Sequence, residues 1–98
     1  MTSSQVLHLN PERRYRALMR LWQLHLSASD PDLAQLRHLH QTLCTEEALL
    51  SETHPDLCLQ NLQQRIHDAV AVGLPLQLPV WAESYGEALL ERLKELDA

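Results

Sequence analysis

His40 and Cys44, and again His54 and Cys58, form a doubled His-x3-Cys pattern. On a helix each pair shares a face, and two imidazoles with two thiolates make a legitimate tetrahedral zinc set, as a metal-responsive regulator would need. Spacing argues against convergence. If the two segments form a straight hairpin turning near residues 52–54, a rise of 1.5 Å per residue leaves Cys44 ~12 Å and His40 ~18 Å from His54. Zinc ligands sit only ~2.0–2.3 Å from the metal, so the favoured reading assigns no metal and no cofactor, with Cys44 and Cys58 as small buried hydrophobes and His40 at the core edge.

Other chemistries find less support. The six histidines include His8, His25, His38 and His67, and none adjoins a haem-attachment signature. The only glycines are Gly73 and Gly86, which leaves no phosphate-cradling loop and no nucleophile elbow. His67 and Asp68 are neighbours on a helix and point to different sides, so they make no dyad. The expectation is a non-catalytic protein.

The elements that position these residues are announced by proline. Pro11, Pro31, Pro55 and Pro79 each precede a run with apolar residues three and four apart, and proline is favoured at the first helical position because its missing N–H would be unpaired there anyway. Four helices are expected, over about 11–27, 31–52, 55–72 and 79–97, with residues 1–9 flexible. The first collects Tyr15, Leu18, Met19, Trp22, His25 and Leu26 on one face, with Trp22 as its anchor. The second, capped by Asp30 or Ser29, collects Leu33, Leu36, Leu39, His40, Leu43, Cys44 and Leu50. The third collects Cys58, Leu59, Leu62, Ile66, Ala69 and Val70 and stops at Gly73. Gly73–Pro79 is a proline-rich extended linker. The last helix either runs unbroken from Pro79 or restarts at Ser84, where Ser84 and Glu87 spell a capping box. Short connections make neighbours antiparallel, so the fold class is all-α, a small four-helix up-down bundle in a single domain.

Leucine dominates a chain of 98 residues that has no phenylalanine and carries a net charge of −5. Charge is unevenly placed: residues 1–29 carry Arg13, Arg14, Arg16 and Arg20 against Glu12 alone, while twelve acids follow against Arg37, Arg65, Arg92 and Lys94. An acidic body with one basic end is not the profile of a nucleic-acid binder, which ranks third among the readings, after the metal- or cofactor-responsive regulator. Neither an export signal nor a membrane-spanning run is legible, so a cytoplasmic protein with reduced thiols is expected.

The most usable clue lies off the core stripes. Leu24, Leu49, Leu57 and Leu90 depart from their helices' apolar faces, and Leu74 and Leu76 make the linker apolar. Together with the Arg13, Arg16, Arg20 stripe and the Glu87 and Glu91 positions of the last helix, they define an expected protein-partner surface. The chain is therefore read as a protein–protein interaction module, an adaptor, regulator or chaperone-like protein, forming a homodimer or binding another protein.

Overall fold

The computed structural model describes residues 10–87 and residue 91. Among them the chain is all-helical, with three long helices and one short one: α1 (Pro11–Leu26), α2 (Leu33–Leu50), α3 (Pro55–Ala71) and α4 (Val80–Glu83). No helix among the described residues is long and apolar enough to cross a membrane. Of the four long helices expected, three are present among the described residues, and the fourth is a short one there.

Proline marks α1 and α3 as expected. Pro11 stands at the first turn of α1, where the Asn10 side chain accepts from the Glu12 amide at 2.8 Å, and Pro55 opens α3. Pro31 does not open α2. The helix starts at Leu33 because Asp32 accepts from the amides of Ala34 at 3.0 Å and Gln35 at 3.3 Å, so Asp32 is the cap rather than Asp30 or Ser29. α2 runs on through Thr45, whose hydroxyl donates back to the Gln41 carbonyl at 3.1 Å.

The end of α3 is a Schellman motif. Gly73 takes φ +75°, its amide donates to Val70 O at 3.2 Å, and the Leu74 amide donates to Ala69 O at 2.8 Å. This turn swings Leu74 into the core, where it is 2% exposed, and the extended linker places Leu76 on the same side, packed against that core. Leu74 therefore belongs to the interior, not to the expected partner surface, and Leu76 is half-buried at its edge. Val70, expected on the inner face of α3, is exposed.

The unbroken fourth helix is also corrected. The chain turns at Ser84 and Tyr85, where the Ser84 hydroxyl donates to Trp81 O at 2.8 Å and the Tyr85 amide to Ala82 O at 3.0 Å. Tyr85 packs edge-on against Trp81, and its hydroxyl donates to Ser51 O at 3.2 Å. Tertiary contacts of Tyr85 with Trp81 and Ser51 outweigh continuation at this point. Gly86, Glu87 and Glu91 are helical again; the rest of the expected helix, Leu90 included, lies outside the described residues.

Two clusters form the core. The larger joins Tyr15 and Trp22 of α1 to Leu36, Leu39, Leu43 and Leu50 of α2, Cys58 and Ala69 of α3, and Leu74. The smaller packs Ala82 of α4 on Leu59 and Leu62, and half-buried Trp81 touches both. Pairing of Tyr15 with Glu47 and Arg14 with Glu46 sets the start of α1 beside the end of α2, so the two run antiparallel. Contacts of Glu12 with His54 and of Trp22 with Asp68 set α1 and α3 side by side in the same direction.

Candidate interaction groove and the buried polar cluster

The doubled His-x3-Cys pattern splits in the fold. His40 and Cys44 touch, with Sγ 3.4 Å from Nε2, whereas Cys58 is buried in the main core and His54 caps α3, its Nδ1 2.8 Å from the Thr53 hydroxyl. Among the described residues no group of three or more His, Cys, Asp or Glu is placed to hold a metal ion.

His40 and Cys44 instead join a polar cluster around Arg65, which is 0% exposed, as is Glu47. The guanidinium grips the Glu47 carboxylate with two bonds, Nη2 to Oε1 at 2.6 Å and Nη1 to Oε2 at 2.7 Å. Its remaining donors reach His40 Nδ1 at 3.1 Å, Met19 Sδ at 3.5 Å and Cys44 Sγ at 3.8 Å, so every N–H of the guanidinium has an acceptor. Tyr15 adds a hydroxyl donated to Glu47 Oε2. Side chains from all three long helices are thereby tied to one arginine.

Electrostatics follow from this geometry. Burial opposes the Arg65 charge, and the hydrogen bonds and attraction of Glu47 overcome it, so the guanidinium is held charged above its ordinary range. Burial and then the Glu47 carboxylate push the Tyr15 phenol up. Burial and the neighbouring Arg65 push His40 down to about 4, so it is neutral at pH 7. Because Arg65 can only donate, His40 Nδ1 must accept, and the single imidazole proton sits on Nε2, facing Gln77 O at 3.4 Å and Cys44. His40 has no free nitrogen with which to deprotonate Cys44. Burial meanwhile pushes the Cys44 thiol up to about 11 and the Cys58 thiol up to about 12. Both thiols are therefore protonated at pH 7.

The apolar surface lies elsewhere. Between α1 and α3 runs an open groove of about 580 Å³ whose walls include Met19 and Leu24 of α1 and Leu57 and Asn61 of α3, with Arg16 and Arg20 along its edge. Leu24 is 69% exposed. Arg16 is bonded to Glu12 at 2.6 Å, and Arg20 has no ionic partner among the described residues.

The structure thus gathers four residues of the expected partner surface, Leu24, Leu57, Arg16 and Arg20, into one feature. Arg13 is exposed on α1. Leu49 is 72% exposed but lines a separate hollow with Val80 and Trp81. Glu87 and Glu91 are exposed. Spacing alone missed Arg65 and Glu47, although a signal existed: Glu47 falls three after Cys44 and three before Leu50, and Arg65 falls three after Leu62 and four before Ala69, so both lie on the buried stripes.

No protein-family model matches the chain, and no curated protein or solved structure is significantly similar to it.

Proposed function

We propose that this protein is a non-catalytic interaction module that receives an apolar, acid-bearing segment of a protein partner, or of a second copy of itself, in the groove between α1 and α3. The observation that supports this reading is the exposed Leu24 beside Leu57 and Met19, edged by Arg16 and Arg20. Burying a leucine contributes ~1.5–3 kcal/mol, so the leucines anchor the contact, while exposed arginines at ~0–1 kcal/mol per ion pair select the sign and orientation of what binds.

Selection from a displayed library of helical peptides tests the reading. Peptides enriched on the wild-type protein should carry leucine or isoleucine at i, i+4 beside Asp or Glu, and should lose binding to Leu24→Glu. Enrichment of unrelated peptides, or equal binding to Leu24→Glu, would overturn it.

A further inference from the structure

We infer that the occupant of the groove is the acidic, leucine-bearing stretch 87–95 of a second copy of this chain. The inference rests on the interaction reading above and names its partner.

Charge and spacing point to this segment. Glu83, Glu87, Glu91 and Glu95 recur every fourth residue, with Leu89, Leu90 and Leu93 among them, and only Arg92 and Lys94 offset them. Glu87 and Glu91 are both helical and exposed, four residues apart. Arg16 and Arg20 are likewise four apart on α1 and exposed. A rise of 1.5 Å per residue separates each pair by ~6 Å along its helix, so two helices lying side by side bring both carboxylates to both guanidiniums at once. Among the described residues neither glutamate has an ionic partner, and neither does Arg20. Glu87 and Glu91 are like charges four residues apart, a spacing that sets them against one another, and a basic surface relieves them.

Geometry favours a second copy over the same chain. Ala82, Trp81 and Tyr85 pack on α3 through Leu59, Leu62 and Ile66, and the Tyr85 hydroxyl is held at Ser51 O, 3.2 Å away. At ~100° per residue, Leu59 and Leu62 lie at least ~100° around α3 from Leu57 and Asn61, which line the groove. The residues that lead into the acidic stretch, up to Tyr85, are therefore anchored on a different side of α3 from the groove. A second copy faces no such obstacle, and because each chain carries both groove and stretch, a twofold pairing makes the contact twice and closes.

Sedimentation equilibrium at tens of micromolar, with a charge-swap cycle, tests this. The wild-type chain of 11.3 kDa should sediment as a dimer. Arg16→Glu with Arg20→Glu sets acid against acid at both contacts, and Glu87→Arg with Glu91→Arg sets base against base, so each variant alone should dimerise at least ~tenfold more weakly. Mixed, the two variants should form a heterodimer of wild-type affinity, since both contacts are then matched. All four positions are exposed, and unchanged melting curves will exclude misfolding. A monomeric wild type, or variants whose mixture shows no recovery, would overturn the inference. If a groove-dependent peptide still binds a monomeric wild type, the second copy is wrong and the interaction reading stands; loss of both removes both.

Discussion

Arg65 and Glu47 form a two-bonded ion pair that is wholly out of water, with N···O distances of 2.6 and 2.7 Å. Desolvating two charges costs several kcal/mol per ion, and their attraction offsets this only while the geometry is complete. Glu47→Leu or Arg65→Met alone should therefore destabilise the protein by ~3–5 kcal/mol, because each strands a buried charge. The pair of substitutions together should cost much less than their sum. Urea melts of the single and double variants measure the coupling, and additive losses would mean the pair does not act as a unit.

His40 predicts a pH dependence with a definite sign. An unfolded histidine titrates near 6.5, while His40 stays neutral down to about 4 through burial and Arg65, so between those values the unfolded chain binds a proton that the native chain does not. Stability from this group is complete above pH 6.5 and is lost on acidification, by up to ~1.4 kcal/mol per pH unit. His40→Gln keeps an acceptor for Arg65 and should flatten the slope between pH 6.5 and 4. Parallel slopes in the two proteins would exclude His40 as the cause.

The thiols should be slow. With Cys44 pushed from 9.0 up to about 11 by burial, its thiolate fraction at pH 8 falls about a hundredfold below that of an unfolded thiol, and Cys58 should be slower still. Alkylation followed by mass spectrometry should label neither cysteine until denaturant is added. Immediate labelling of Cys44 would show that the cluster opens readily.

Trp22 is fully buried and its indole N–H donates to Asp68 at 3.2 Å. Trp22→Ala should cost ~3–5 kcal/mol, a large share of a small domain's stability. Trp22→Phe fills most of the space and should cost less. Denaturant melts of both variants provide the check.

The linker should behave as core. Leu74→Ala is expected to cost ~2–5 kcal/mol, whereas a surface linker residue would cost almost nothing. Gly73→Ala meets no atom within 4 Å, so its expected loss of ~1–2 kcal/mol comes from the positive φ alone. Thermal melts read both.

Local chemistry alone determined where the long helices lie. Pro11, Pro55 and Gly73 act within one turn of chain, through a missing N–H or a permitted left-handed φ, and the Trp22 and Leu43 stripes follow from helical period. The same local signals failed where two were in competition: Asp32, not Pro31, claimed the start of α2 because its side chain could satisfy two free amides. Depth was not legible. Glu47 and Arg65 stood on the apolar stripes, but spacing gives a side chain's direction and not whether an opposite charge waits across the interface; only the packing of α2 on α3 supplied one. Leu24 and Leu74 looked alike as stray leucines, and tertiary structure separated them. The Gly73 turn carried Leu74 onto the core, while no element of the described chain covers Leu24, because burial depends on which helix face meets which neighbour and that is a property of the whole fold.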